Sequence, residues 1–307
     1  MEVFDLTRDD LAAVLDLAVD AREAPHGRGD LMKGEIVFCL FAKPSTRTRV
    51  SFAAAAARLG GEAVFAGADE LQLGRGETIE DTAMAISGYA RAAVIRTSSH
   101  DDAARFAAAA PIPVVNALTG AHHPCQALAD LMTIKDRFGS LEGLRVAYVG
   151  VGNNVAHSLT QACALTGADV AVAVPGRLSV DAAIVEGARV AAAAVGASVE
   201  VTDDPTRAVR GADVVYTDAW MSMGDPEDER EARRLLLRPY RVTADLMALA
   251  SGRAVFMHCL PAHRGDEVTG EVIDGDRSVI AAQAENRLHT AQAMLAALLE
   301  GRLAGRA

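Results

Sequence analysis

The order of strand-like and helix-like segments is the strongest constraint on how this chain folds. Short runs rich in β-branched residues alternate with longer segments that have the apolar spacing of helices. This alternation is typical of parallel sheets whose strands are connected by crossover helices. The segments predicted as strands are 36–41, 62–65, 93–96, 113–116, 145–149, 169–174, 199–202, 213–217 and 254–257.

The length and one break in the pattern predict two domains. The chain has 307 residues, and domains typically hold about 150. The break falls near a long helical segment, 126–138, with four predicted strands before it and five after it. We therefore predict an α/β fold with two doubly wound parallel-sheet domains joined by interdomain helices. The domains are expected at 1–132 and 133–282, and the C-terminal helix in 283–307 is expected to pack back on the first.

Composition excludes several classes of protein. Half of the residues are hydrophobic, which is enough for two cores and argues against disorder. A net charge of −11 argues against a general nucleic-acid or membrane-surface binder. No run approaches the roughly 20 apolar residues of a membrane helix, and the acidic N-terminal segment is unlike a signal peptide. Four widely spaced cysteines are expected to be reduced thiols, so we predict a cytoplasmic protein.

The segment Ser45-Thr46-Arg47-Thr48-Arg49 follows the first predicted strand and begins a helix. Hydroxyl side chains at a helix start are explained by N-capping, but capping needs only one of them and no arginine. A strand end, free helix N–H groups, hydroxyls and guanidinium groups together suit a phosphate. A phosphate site and a capped surface helix are therefore the two interpretations of this segment.

Two further motifs follow strands of the first half. Arg96 ends the third predicted strand, where a single arginine is more often solvated.

The segment 122–126, His-His-Pro-Cys-Gln, begins a helix, because Pro124 suits the first helical turn. Its imidazole and amide groups can bind a small polar group such as a carbonyl with an attached NH₂. A zinc site is disfavoured, since adjacent histidines rarely share a metal and no remote ligand pair accompanies them.

The first motif of the second half contains two glycines and two asparagines. Gly150 and Gly152 follow a strand, as in a dinucleotide-binding motif. However, Val155 stands where that motif has its third glycine, and the next strand does not end in the acid that would bind a ribose. A dinucleotide site is therefore disfavoured. Asn153 and Asn154 are expected either to cap the next helix or to hold a zwitterionic ligand.

Two later strand ends also carry polar side chains. Asp218 begins the segment 218–224, which is either an ordinary loop or a lid near a cationic ligand. His258 and Cys259 follow the ninth predicted strand. A buried structural thiol is the usual interpretation of a cysteine in such a place.

Taken together, these motifs resemble the aspartate/ornithine carbamoyltransferase family, and within it the ornithine branch. Residues 45–49, Arg96 and 123–126 match motifs of the whole family. The ornithine branch is marked by 153–154, by Asp-x-x-x-Ser-Met-Gly at 218–224 and by His-Cys-Leu-Pro at 258–261. The resemblance runs from about residue 3 to residue 300, in the same order.

The resemblance implies an enzyme that transfers the carbamoyl group of carbamoyl phosphate to the δ-amine of L-ornithine, giving L-citrulline and phosphate. The first domain would bind carbamoyl phosphate and the second ornithine, with no metal and no cofactor. It also implies a role in arginine metabolism and a homotrimer with shared active sites. In that trimer, Gln72 of the loop 70–78 would reach into a neighbouring subunit.

The resemblance also assigns roles to residues. Those implied to be catalytic are Arg47, Arg96, His123, Gln126, Asp218 and Cys259. Those implied to bind carbamoyl phosphate are Ser45, Thr46, Arg47, Thr48, Gln72, Arg96, His123, Gln126, Cys259, Leu260 and Arg287. Those implied to bind ornithine are Asn154, Asp218, Ser222 and Met223.

One departure from the family pattern bears on the acceptor. The ornithine enzymes have Gly-Asp-Gly-Asn-Asn where this chain has Val151 in place of the aspartate. Another amine acceptor, such as putrescine, aspartate, an acylated ornithine or a secondary-metabolite amino acid, is the first alternative. A catalytically silent binding protein is the second. Asp218 with the Ser-Met-Gly of 222–224 favours an acceptor that has a free α-amino group.

Overall fold

Two parallel sheets organise the chain in the computed structural model, which describes residues 1–221 and 230–303. The first unit of the chain comprises Met1–Met132 with Glu285–Ala307, and the second comprises Thr133–Ala284. Each unit contains one of the two sheets. The predicted fold class, two doubly wound α/β domains, is confirmed.

The sheet of the first unit has four strands in the order β2-β1-β3-β4, all parallel. The strands are β1 (Ile36–Phe41), β2 (Glu62–Ala66), β3 (Ala92–Arg96) and β4 (Val114–Leu118). From β1 the chain winds outward to β2, and then returns past β1 to β3 and β4. The winding direction therefore reverses between β1 and β3.

Four helices lie between or before these strands: α1 (Arg8–Glu23), α2 (Arg47–Arg58), α3 (Ile79–Ser87) and α4 (His100–Ala109). Short 3-10 helices are formed by Val3–Asp5 and Gln72–Arg75. Thr7 and Asp10 form a capping box at the start of α1: Thr7 accepts the N–H of Asp10, and the Asp10 carboxylate accepts the N–H of Thr7. This reciprocal pair satisfies two N–H groups that the helix itself leaves without partners.

The sheet of the second unit has five parallel strands in the order β7-β6-β5-β8-β9, and its winding reverses between β5 and β8. The strands are β5 (Arg145–Val149), β6 (Asp169–Ala173), β7 (Val199–Thr202), β8 (Val214–Thr217) and β9 (Val255–His258). The helices are α6 (Asn154–Thr166), α7 (Ala182–Ala194), α8 (Pro205–Val209), α9 (Arg230–Leu237), α10 (Ala244–Met247) and α11 (Gly270–Ile273), with 3-10 turns at Gly176–Leu178 and Arg238–Tyr240.

Two helices contain the boundaries between the units. They are α5 (Pro124–Phe138), which begins at the predicted proline, and α12 (Ile280–Leu299). The sequence pattern put the start of the last helix at 283, three residues late. All nine predicted strands are present, with ends shifted by at most two residues.

Burial of the strands follows from their position in each sheet. The inner strand β3 is buried along its whole length, whereas the edge strand β2 is partly exposed. Helices on both faces of a parallel sheet remove its inner strands from water, which explains their nearly continuous apolar sequences. Within the described residues, no helix combines the length and the apolar character needed to cross a membrane.

The end of α2 depends on a glycine. Gly60 has φ +88, and a Cβ at this position would lie 1.9 Å from the backbone oxygen of Gly29. Gly34 offers a matched comparison, because its φ is +78 but a Cβ there would meet no atom within 4 Å. Backbone conformation is therefore similar at the two positions, and only Gly60 also has a close neighbour.

We predict that Gly60→Ala lowers the free energy of unfolding by about 3 kcal/mol, the sum of left-handed strain and a backbone clash. Gly34→Ala should lower the free energy of unfolding by only about 1 kcal/mol, because it adds the left-handed strain without a clash. Urea unfolding followed by circular dichroism measures both. Equal costs for the two variants would contradict the close approach of Gly60 to Gly29.

Candidate functional site

The first polar cluster lies where the winding of the first sheet reverses. Residues 45–48 leave the carboxyl end of β1 and begin α2, while Arg96 is the last residue of β3. These strands are adjacent, with Phe41 paired to Arg96. In doubly wound sheets, ligands bind outside the carboxyl ends of the strands at this point of reversal.

Helix α2 starts differently from the helices around it. Helices α1, α3 and α4 each have a capping hydroxyl that accepts a backbone N–H, and each has two acidic residues in its first turn. Helix α2 has neither: Thr46 makes no side-chain cap bond, and no acid lies in the first turn. The chain itself does not neutralise the positive end of this helix dipole, so the start of α2 suits an external anion.

A buried arginine joins this cluster from the last helix. Arg287 donates through Nη2 to Oγ1 of Thr48 at 3.0 Å and through Nη1 to Oε1 of Gln126 at 2.6 Å. Gln126 in turn donates through Nε2 to Oδ1 of Asp130 at 2.8 Å. All four side chains are buried. The start of α2, the start of α5 and the middle of α12 are thus linked by one row of hydrogen bonds.

Burial and neighbouring cations lower two pKa values in the cluster. Burial, with Arg287 and Arg47 nearby, lowers the pKa of Arg96 to about 10. Burial and the cations Arg287, Arg96 and Arg47 lower the pKa of His123 well below its usual value. His123 is therefore neutral at pH 7, while the guanidinium groups remain charged and repel one another. Within residues 1–221 and 230–303, Nε of Arg96 has no hydrogen-bond partner. An anion would relieve this repulsion.

The second polar cluster lies where the sheet of the second unit reverses, between β5 and β8. Asn153 follows β5 and caps α6, because its Oδ1 accepts the N–H groups of Val155 and Ala156 at 3.1 Å each. Its Nδ2 donates to Oδ2 of Asp218, the first residue after β8, at 2.7 Å. One side chain therefore caps a helix and also orients a carboxylate.

Two further donors hold the Asp218 carboxylate. Its Oδ1 accepts the N–H of Ala219 at 2.7 Å and the thiol of Cys259, from the end of β9, at 2.9 Å. Asp218 remains partly exposed. The carboxylate is fixed in direction and accessible, which is the arrangement required to bind a cationic group.

The turn after β9 is held by a buried histidine. Nδ1 of His258 accepts the N–H of Leu260 at 2.8 Å, so the donor nitrogen of the ring is Nε2, which contacts Oε1 of the fully buried Glu267 at 3.2 Å. Leu260 has φ +59, an uncommon conformation for a branched residue. His258, Asp218 and Cys259 lie close enough to suggest a metal site. However, both ring nitrogens of His258 have protein partners, so the ring has no lone pair to offer a metal ion.

Two predicted site residues are in contact with solvent in the structure. Gln72 is exposed in its 3-10 helix, and Asn154 is the first, partly exposed residue of α6. Ser222 and Met223 lie outside the described residues. The sequence interpretation missed Asp130, although its position four residues after Gln126 on a predicted helix was a usable signal.

Comparison with known proteins gives a match for each part of the chain. Residues 1–136 match the carbamoyl-P binding domain of the aspartate/ornithine carbamoyltransferases, and residues 142–298 match their Asp/Orn binding domain. The ornithine carbamoyltransferase of Acidothermus cellulolyticus is 51% identical over 296 residues, 96% of this chain and 95% of that protein. The one from Bacillus subtilis is 48% identical over 96% of this chain and 92% of that protein.

A solved structure gives the same result. The structure of ornithine carbamoyltransferase from Pyrococcus furiosus has a TM-score of 0.92 and 47% sequence identity, with 96% of this chain and 95% of that chain covered. Fold, domain matches and identity over nearly the full length agree, so this chain belongs to the aspartate/ornithine carbamoyltransferase family.

Proposed function

We propose that this protein transfers the carbamoyl group of carbamoyl phosphate to the δ-amine of L-ornithine, giving L-citrulline and phosphate. The observation that carries this proposal is the contrast in charge between the two points of reversal. The first has clustered guanidinium groups and a helix start without an acid, which suits a phosphate. The second has the oriented carboxylate of Asp218, which suits an α-ammonium group.

The first unit is proposed to bind carbamoyl phosphate. Ser45, Thr46, Arg47 and Thr48 would hold the phosphate with Arg96, and Arg287 would support Thr48 and Gln126 through the hydrogen bonds described above. Because His123 is neutral, it can donate a hydrogen bond to the carbonyl oxygen without carrying a charge. Gln126 would accept a hydrogen bond from the carbamoyl NH₂.

The second unit is proposed to bind ornithine. Asp218 would pair with the α-ammonium group, and Asn154, Ser222 and Met223 would complete the amino-acid site. Cys259 and the backbone of Leu260 are proposed to line the reaction centre. Val151, which replaces the aspartate of the family pattern, is buried among apolar side chains that include Trp220. A valine at this position therefore contributes to packing.

The chemistry needs no protein nucleophile, because the attacking group is the amine of the substrate. That amine has an ordinary pKa near 10.4 and must lose a proton before it attacks. Its lone pair forms the new C–N bond, the carbonyl oxygen takes up the electron pair, and the intermediate collapses with cleavage of the bond to phosphate. A second proton leaves the nitrogen. The guanidinium groups would stabilise the oxyanion and the leaving phosphate.

Phosphate release tests the reaction and the choice of acceptor. Carbamoyl phosphate is supplied with L-ornithine, putrescine, L-aspartate or N-acetylornithine, and phosphate and the carbamoylated product are measured. We expect turnover with L-ornithine and formation of L-citrulline. Faster turnover with another amine would reassign the acceptor, and none with any amine would support a silent binding protein.

We also propose that the enzyme acts in arginine metabolism in the cytoplasm, as a homotrimer. All four cysteines are free, which supports a reducing compartment. The trimer would account for a glutamine, Gln72, that is exposed and remote in sequence from the other proposed site residues.

We predict that Arg47→Ala lowers turnover by about 10³-fold, because the residue would stabilise both phosphate and the developing oxyanion. Arg58→Ala is the matched control: it removes an arginine from the other end of the same helix and should stay within about twofold of wild type. Steady-state kinetics at saturating substrates measures both variants. An Arg47 variant that keeps more than about a tenth of wild-type turnover would contradict this role.

We predict that Asp218→Asn weakens ornithine binding by at least about tenfold while affinity for carbamoyl phosphate stays nearly constant, because the negative charge that would pair with the α-ammonium group is lost. Asp203→Asn is the control, because Asp203 follows β7 at the same edge of the sheet but away from the reversal. Calorimetric titration of each ligand gives both affinities. Equal weakening of the two ligands would indicate that Asp218 acts only on the structure.

A mixing experiment tests the trimer with shared sites. Gln72→Ala and Arg47→Ala chains are each expected to be inactive alone, and to regain activity when they are unfolded and refolded together. A working site needs one chain with Arg47 and a neighbour with Gln72, so random mixing should restore about a quarter of the sites. Each variant refolded by itself is the control. Mixed trimers without activity would mean that Gln72 acts within its own chain.

A further inference from the structure

We propose that Asp130 is a positioning residue that fixes the side-chain amide of Gln126 and thereby sets the preference for a carbamoyl NH₂ over a methyl group. This inference rests on the proposed function, because it concerns how the same site recognises carbamoyl phosphate. Asp130 would not touch the substrate. It would act through Gln126, which lies one helical turn earlier on α5.

The partners of Gln126 determine which way its amide points. A guanidinium group can only donate hydrogen bonds, so the atom that faces Nη1 of Arg287 at 2.6 Å must be Oε1. Nε2 then faces Oδ1 of Asp130 at 2.8 Å, and an ionised carboxylate can only accept. Arg287 as a donor and Asp130 as an acceptor therefore impose the same orientation on the amide of Gln126.

Burial makes the alternative orientation costly. Gln126 is 1% exposed and Asp130 is 0% exposed, so water does not replace a lost partner. A flipped amide would set Nε2 against the donors of Arg287 and Oε1 against the carboxylate of Asp130. Two hydrogen bonds to charged groups would be lost, and these are stronger than hydrogen bonds between neutral groups. Asp130 therefore keeps Gln126 in one orientation.

The fixed orientation has a consequence for ligand choice. Oε1 has two lone pairs and gives one to Arg287, so it can accept one further N–H. The NH₂ of a carbamoyl group supplies that N–H, whereas the methyl of an acetyl group does not. The hydrogen bond to Asp130 also polarises the amide of Gln126, which strengthens Oε1 as an acceptor. Without Asp130, the side-chain amide of Gln126 would lose one of its two hydrogen-bond partners. The amide could then turn, and the site would lose its preference for a ligand that has an N–H donor.

The test compares two stable ligands that differ at one group. Phosphonoacetamide carries the NH₂ of the carbamoyl group, and acetonylphosphonate carries a methyl in its place. Inorganic phosphate reports the affinity of the phosphate site alone. Dissociation constants for all three are measured by calorimetry on the full chain, for wild type, Asp130→Ala and Asp130→Asn. Citrulline formation by wild type is measured separately.

We expect wild type to bind phosphonoacetamide about tenfold or more tightly than acetonylphosphonate. Asp130→Ala should lower this ratio at least about fivefold. Asp130→Asn keeps a neutral acceptor and should lower the ratio about twofold to threefold, since a neutral hydrogen bond is weaker than a charge-assisted one. Affinity for inorganic phosphate should change less than twofold in both variants.

Three results would overturn the inference. The first is a wild type that does not discriminate between the two phosphonates. The second is an unchanged ratio in the variants, and if Asp130→Ala does not fold, an unchanged ratio in Asp130→Asn is sufficient. The third is equal weakening of all three ligands, which a merely structural role would produce. Failure of the proposed function is separate, because wild type would then form no citrulline.

Discussion

Positive charge is concentrated where β1 and β3 end, and the buried polar side chains of the first unit are arranged around it. Burial of Arg96, with the cations Arg287 and Arg47 nearby, lowers the pKa of Arg96 to about 10. Such a cluster opposes folding unless other interactions hold it. The hydrogen bonds from Arg287 to Thr48 and Gln126, and the carboxylate of Asp130 beyond Gln126, provide that support. The anion proposed to bind at this cluster would offset the repulsion among these cations.

The doubly wound topology explains why each unit offers one polar cluster. At a reversal, the chain leaves two adjacent strands in opposite directions. No crossover connection then covers the crevice between the carboxyl ends of these two strands. In the first unit the space is lined by donors, and in the second it is lined by the carboxylate of Asp218 and its partners Asn153 and Cys259. The same backbone arrangement therefore presents a cluster suited to an anion in one case and a cluster suited to a cation in the other. The side chains that follow each strand make the difference.

Most of the fold could be predicted because its signals are local. A run of β-branched residues, a capping pair such as Thr7 and Asp10, and a proline at a helix start act within one or two turns of chain, so the sequence displays them directly. The interpretation of Asn153 required the structure, since capping and ligand orientation were alternatives in the sequence and the folded protein uses the side chain for capping and for holding Asp218. The early start of α12 was missed because its first residues are apolar and carry no cap signal.

The strands, most of the helices, the parallel character of the sheets and the motifs at the strand ends were predictable, because each depends on neighbouring residues and on the period of the apolar pattern. Only the tertiary structure decided which distant groups meet. Arg287 bonds Thr48 across 239 positions of the chain, and Cys259 bonds Asp218 across 41. The strand order that creates the two reversals is likewise a property of the folded sheets. These partnerships arise from packing of whole elements against one another, and packing depends on the summed fit of many side chains rather than on any local pattern.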